Sequence, residues 1–359
     1  MSFVIAAAGT GGHVFPGLAV GEALVDLGVG RDDVLFVGGD RLEATVYPDE
    51  GFPFLQVEMR GLRRSLSARN LGLPRVVLQA RDAIEMAMEE RKARVALAMG
   101  GYITIPAGLA ARKSGVPLML AEQNARAGLA NRVASRWASR TFTSFPATEG
   151  LERGEWVGNP VRRALADLDR SRARPPALAR YEMDPGLPTL GVVGGSLGAG
   201  VINDAVGRML EEWDGPPIQV IHVTGPSHLE AMETMRPRLG VVWHRIGFED
   251  RMDLFYAASD LVVARAGGAV AELTATATPS VLVPGEFSAG GHQSANAGFI
   301  SDSGAALVVK ETELATLTDV IYQSLFDPAV LHRMSEAARL VGKPEASGTI
   351  AGAMIEAAG

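Results

Sequence analysis

At 359 residues the chain exceeds one ordinary hydrophobic core, and two domains of roughly 150–200 residues are expected. A composition of 47% hydrophobic and 21% charged residues is that of a globular protein, and zero cysteine excludes disulfides, thiolate metal sites and cysteine nucleophiles together. The net charge of −7 is uneven, with 18 basic and 17 acidic residues in 1–160 against 16 and 24 in the remainder; an acidic balance without a nucleic-acid motif argues against a nucleic-acid partner.

The N-terminus, MSFVIAAAGTGG, lacks the basic stretch and longer apolar core of a signal peptide, and no run of about 18 apolar residues occurs, so a cytoplasmic protein is expected. The first predicted strand, FVIAAA (Phe3–Ala8), runs into Gly9-Thr10-Gly11-Gly12-His13 and then a helix-like stretch. Glycines let backbone N–H groups approach an anion, and a helix N-terminus adds partial positive charge. This is not a Walker loop, since no GKS or GKT follows, and Val14 occupies the third glycine position of a dinucleotide fingerprint. Asp40, after the second strand VLFVGG, lies 29 residues beyond Gly11, whereas about 20 is usual for a ribose-binding acid. A phosphate explains the glycines; it does not explain His13.

Residues 60–81 (RGLRRSLSARNLGLPRVVLQAR) hold six arginines and no acid, interleaved with leucine and valine. Such a segment suits an anionic lipid surface, or equally a helix pair with solvated arginines. The strands VALAMG, LMLAEQ and TFTSF complete the first half, and the Pro-rich stretch 157–188 is the expected join. TLGVVGG, IQVIHVTG, VVWHRIG, LVVARAG and SVLVPG follow. Short apolar strands alternating with helices predict an α/β protein with two parallel sheets, each opening on a strand, a glycine turn and a helix. Ligands are expected in a cleft outside the carboxyl ends of the strands.

Three further motifs carry polar chemistry. Gly194-Gly195-Ser196-Leu197-Gly198-Ala199 is a second phosphate-type turn, although either glycine turn alone can be an empty βα connection. Arg265-Ala266-Gly267-Gly268 should open a helix with Glu272 one turn in, where a carboxylate suits either the helix N-terminus or two ribose hydroxyls. Gly290-Gly291-His292-Gln293-Ser294-Ala295-Asn296 offers donors and acceptors for sugar hydroxyls, or a polar cap.

In this order GTGGHVFPGLAV, MGGY with AEQN, VGNPVR, GGSLGA and HQSANA make the chain similar to the MurG family of peptidoglycan glycosyltransferases, from Ser2 to about Gly304. The resemblance implies a GT-B fold of two Rossmann-like domains, 1–160 for a lipid acceptor and 161–340 for a UDP-sugar donor, with 341–359 a helix packing back toward the first. It implies transfer of N-acetylglucosamine from UDP-N-acetylglucosamine to the C4 hydroxyl of undecaprenyl-pyrophosphoryl-N-acetylmuramoyl-pentapeptide (lipid I), giving lipid II. By similarity Ser196, Leu197, Gly198 and Arg162 lie at the donor diphosphate. Phe248 and the backbone of Glu249 lie by the uracil and Glu272 by the ribose, with Arg265 and Gly268 also on the donor side. His292, Gln293 and Asn296 would read the sugar, with Asn124 reaching the donor as well. Thr10, Gly11, Gly12, Tyr102, Glu122, Gln123 and Asn124 would form the acceptor side. The 60–81 segment resembles the family's membrane-docking region, implying a peripheral protein on the cytoplasmic face of the membrane.

In that mechanism the acceptor hydroxyl attacks the anomeric carbon opposite UDP, inverting it, and loses a proton to the histidine best placed to take it, His13. Loop N–H groups, a helix N-terminus and Arg162 would stabilise the leaving diphosphate without a metal or other cofactor. The lone Asp-x-Asp triplet, Asp167-Leu168-Asp169, falls in the join and reads as charged surface. Three departures from the family pattern stand out. Ala121 replaces a usual histidine, Leu197 a usual glutamine, and the Arg265–Glu272 spacing is one residue short. The alternatives are a related GT-B transferase with another lipid or natural-product acceptor, a nicotinamide-dependent oxidoreductase, and an inactive nucleotide-sugar-binding protein.

Overall fold

The apolar runs of each half form a parallel sheet flanked by helices; the computed structural model describes residues 2–58, 73–195, 197–286 and 291–359. The first sheet contains β1 (Ser2–Ala6), β2 (Val34–Gly38), β3 (Phe54–Gln56), β4 (Ala93–Ala98), β5 (Leu118–Glu122), β6 (Arg140–Thr143) and β7 (Glu155–Trp156), in the order β3-β2-β1-β4-β5-β6-β7. The second contains β8 (Thr189–Val193), β9 (Ile218–Val223), β10 (Val241–Ile246), β11 (Leu261–Ala264), β12 (Ser280–Leu282) and β13 (Ala306–Val308), in the order β10-β9-β8-β11-β12-β13. All the paired strands run parallel.

The chain divides into two compact units, Met1–Arg163 with Glu345–Gly359, and Ala164–Pro344. Helices α1 (Gly11–Asp26), α2 (Glu43–Asp49), α3 (Leu73–Glu90), α4 (Thr104–Lys113) and α5 (Leu129–Ala134) belong to the first unit, and α6 (Arg163–Ala166) begins at the boundary. The second unit holds α7 (Arg170–Arg180), α8 (Gly200–Glu212), α9 (Leu229–Thr234), α10 (Met252–Ala258), α11 (Ala269–Ala275), α12 (His292–Asp302), α13 (Leu317–Leu325) and α14 (Pro328–Val341). The last helix, α15 (Ala346–Ala358), returns to the first unit: Ile350, Ala351 and Met354 share a core with Leu18 and Leu24 of α1.

Central strands are buried along their whole length, as β1, β2, β5 and β8 show, because helices cover both faces. On α1, glycine sets the packing distance: a Cβ on Gly21 would sit 2.6 Å from Phe36 Cζ. Any side chain there would push the helix off the sheet. In each sheet the strand order reverses once, between β1 and β4 and between β8 and β11. Loops at the carboxyl ends of those strands diverge and leave a crevice, which places two glycine turns at each reversal.

Candidate active site

In the first unit the β1–α1 turn begins with Gly9 at φ +108, a conformation that L side chains rarely adopt. Thr10 caps α1 from extended backbone, and its carbonyl accepts from both His13 N and Val14 N. The N–H groups of a helix's first turn have no partner inside the helix, so Gly11 and Gly12 present donors without side-chain obstruction. Thr10 Oγ1 lies 3.3 Å from His13 Nδ1. The other wall of the imidazole is Gly100, at φ +97: a Cβ there would come within 3.0 Å of His13 Cδ2 and 3.1 Å of Nε2. His13 therefore occupies a slot between the turns after β1 and β4.

Two buried carboxylates brace this edge. Glu122, at the end of β5, accepts from Asn124 N and Nδ2 at 3.1 Å each, Gly128 N at 3.0 Å and Asn131 Nδ2 at 2.9 Å. Its oxygens are turned inward onto its own loop, so Glu122 holds the turn after β5 together. Gln123 is also buried; its Nε2 donates to Ala121 O, while Oε1 has no partner in the protein. Asn124 is half-buried. Ala121, where the family usually has histidine, packs its methyl in the apolar core with Ala7, Val14 and Phe142.

The second brace, Glu43, went unnoticed in the sequence. It is fully buried and accepts from Gly9 N (3.2 Å), Gly39 N (3.0 Å) and Tyr102 Oη (3.1 Å). Tyr102 thus gives its proton to the scaffold. Burial, and then the Glu43 charge, push its phenol well above the usual tyrosine range. Asn131 was missed too: its Nδ2 also donates to Ala121 O. One signal was available for Glu43, a Gly-Gly-x-x-x-Glu spacing at 38–43 identical to that at 267–272.

In the second unit the β8–α8 turn packs tightly on the end of β9. A Cβ on Gly198, at φ +78, would collide with Thr224 O, and one on Gly225 with Leu197 O. Asn203, on α8, donates from Nδ2 to Thr224 O at 2.8 Å and faces His222 Nε2 with Oδ1 at 3.0 Å. The bond to Thr224 fixes the amide orientation, so His222 Nε2 must be the donor. Burial, with help from Arg245, lowers the His222 pKa to about 3 and keeps the ring neutral. Leu197 projects from the turn, 80% exposed. Ser196 lies outside the described residues.

Beyond the reversal, Gly268 precedes α11, and Glu272 Oε2 accepts from Tyr256 Oη at 2.7 Å. Arg265 donates to Val283 O and forms a 2.6 Å ion pair with Glu311, another residue that sequence reading did not single out. Gln293 Oε1 accepts from Gly285 N at 2.8 Å, which fixes the orientation of its amide. Asn296 is buried and its Nδ2 donates to Ala266 O, so it ties α12 to the β11–α11 turn rather than lining a sugar site. His292, half-buried at the start of α12, has a buried Nδ1 without a protein partner.

Phe248 is 51% exposed, beside a Glu249 side chain held inward by Tyr181 Oη, Arg180 and Arg251 N. Arg162 belongs to the first unit, with its guanidinium 5.3 Å from the Phe15 ring. Asp169, from the Asp-x-Asp triplet, caps α7 by accepting from Arg172 N.

Two Rossmann-like parallel-sheet units with a glycine turn at each strand-order reversal make up the GT-B fold. Residues 3–143 match the N-terminal domain of glycosyltransferase family 28 and residues 189–350 match its C-terminal domain. The chain belongs to this family. It is 39% identical over 367 residues to the UDP-N-acetylglucosamine--N-acetylmuramyl-(pentapeptide) pyrophosphoryl-undecaprenol N-acetylglucosamine transferase of Acidithiobacillus ferrooxidans, covering 100% of this chain and 98% of that one. The protein of the same name from Streptomyces coelicolor is 36% identical, with 99% and 98% covered. Among solved structures, Acinetobacter baumannii MurG superposes with a TM-score of 0.78 at 28% identity, covering 99% of this chain and all of that one. A UDP-GlcNAc 2-epimerase from Neisseria meningitidis, at 12% identity and a TM-score of 0.68, shares the fold.

Proposed function

We propose that this protein transfers N-acetylglucosamine from UDP-N-acetylglucosamine to the C4 hydroxyl of lipid I, forming lipid II with inversion at the anomeric carbon. The observation that carries the reading is His13, held by Thr10 and Gly100 at the strand-order reversal of a chain that matches transferases of this name along its whole length. The acceptor hydroxyl must lose a proton as it attacks, and an imidazole is suited to take it near neutral pH. The base role calls for the tautomer in which Nδ1–H donates to Thr10 Oγ1 and Nε2 carries the lone pair. On the donor side, negative charge grows on the leaving diphosphate. The N-terminus of α8, which follows this glycine turn, supplies fixed donors for it. This chemistry calls for no metal, and the one Asp-x-Asp triplet is already engaged in capping α7.

The lipid acceptor implies a peripheral protein at an anionic membrane, on its cytoplasmic face. Among the described residues no helix is long and apolar enough to cross a membrane. The basic segment 60–81 lies partly in residues 59–72, outside those described; in α3 it continues with exposed Leu78 beside Arg75 and Arg81. The deciding experiment combines purified protein, UDP-N-acetylglucosamine and a lipid I analogue, and follows UDP release and product mass. Tight UDP binding without release, given an adequate acceptor, overturns the reading. Co-sedimentation with anionic vesicles but not neutral ones tests the membrane surface.

A further inference from the structure

The Glu43 carboxylate has no place in the chemistry above, yet a charge is buried at a cost unless donors surround it. Its three donors come from three different turns: Gly9 after β1, Gly39 after β2 and Tyr102 after β4. Those strands are neighbours in the order β2-β1-β4. The space around the group is filled as well. A Cβ on Gly39 would lie 2.5 Å from Tyr102 Oη and 3.1 Å from Glu43 Oε1, and one on Gly38 would lie 2.7 Å from Glu43 Cγ. Both walls of the His13 slot are thus tied to one group. Gly9 adjoins Thr10, whose hydroxyl meets the imidazole, and Tyr102 follows Gly100 and Gly101, against which the imidazole packs. The Tyr102 ring also covers Gly9, 3.4 Å from the position of a Cβ there.

We infer that Glu43 is the positioning residue of the catalytic turn: it joins the turns after β1, β2 and β4 at the spacing that aims His13, a role that rests on the reading of His13 as the base. Glutamine cannot reproduce it. With its carbonyl oxygen accepting from Gly39 and Tyr102, its NH2 faces the Gly9 N–H, donor against donor, and the β1–α1 turn is pushed away. Misplacing a base by about 1 Å costs on the order of 10²-fold in rate.

A double-mutant cycle in the full-length protein tests this. His13→Ala is expected to lower kcat by roughly 10²–10⁴-fold. Glu43→Gln should lower kcat by about 10²-fold while leaving the KM for UDP-N-acetylglucosamine and UDP binding within about two-fold. The residue acts through His13, so adding Glu43→Gln to His13→Ala should cost little more. Multiplying losses in the double variant, or a KM effect in place of a kcat effect, would mark Glu43 as a general fold element and overturn the inference. So would wild-type kcat in Glu43→Gln. Full kcat in His13→Ala would instead remove the base reading itself. If Glu43→Gln does not fold, Tyr102→Phe removes one of the three donors and carries the same cycle. Its kcat loss should be smaller and likewise absent on the His13→Ala background, and a loss that multiplies there overturns the inference.

Discussion

The two units each carry a Gly-Gly-x-x-x-Glu turn, at 38–43 and at 267–272, and in each the glutamate accepts a tyrosine hydroxyl. Their environments differ. Glu43 is fully buried with two further backbone donors, whereas Glu272 is half-buried at the start of α11. The difference lies in which strand the turn follows. Glu43 follows β2, beside β1 on the closed side of the sheet, so its carboxylate reaches inward across the β1 turn. Glu272 follows β11, across the strand-order reversal from β8, where loops diverge. One spacing gives an enclosed carboxylate in one unit and a half-buried one at the reversal in the other, and topology decides which.

The sharpest break of this comparison is His13→Ala, the group the brace serves, whose kcat loss in lipid I turnover is given above. Next come the two glutamates set side by side. Glu272→Gln should raise the KM for UDP-N-acetylglucosamine by about 10–100-fold, the equivalent of one charge-assisted hydrogen bond, whereas Glu43→Gln should act on kcat alone. Equal patterns in steady-state kinetics would erase the distinction between brace and ligand-side carboxylate.

The second unit has its own brace in His222–Asn203, testable through pH. Burial lowers the His222 pKa from 6.5 to about 3 in the folded protein, so below pH 6.5 the unfolded chain binds the extra proton. Its contribution is therefore complete above pH 6.5 and is lost as pH falls toward 3, with a slope of at most about 1.4 kcal/mol per pH unit. Urea denaturation across that window should show the slope, and His222→Gln should flatten it. The smallest effect concerns packing alone. Gly21→Ala, which drives a methyl into Phe36, should cost about 1–3 kcal/mol of stability by thermal or urea unfolding while leaving both KM values in place.

Much of this molecule was legible in its residues. Each of the ten apolar runs singled out in the sequence forms a strand, and the glycine turns 9–12, 194–199 and 265–268 fall at strand ends. Strands β3, β7 and β13 escaped notice because each has two or three residues at or beside a sheet edge, where partial exposure leaves no continuous apolar run. The site was less legible. Glu122, Asn124, Gln293 and Asn296 could be picked for their polar ends, but nothing local shows that each spends polar atoms on the fold itself. Ala121, read as a missing imidazole, proves to be a core residue.

By itself the sequence determined the periodicities, the turns and the family, because strand burial and backbone freedom at glycine are local properties of residue type and spacing. Tertiary structure decided which polar groups face a ligand and which hold the frame. That choice depends on strand order: a carboxylate's partners come from turns 34 and 59 residues away, as Gly9 and Tyr102 do for Glu43. No local spacing records which distant N–H or hydroxyl will arrive.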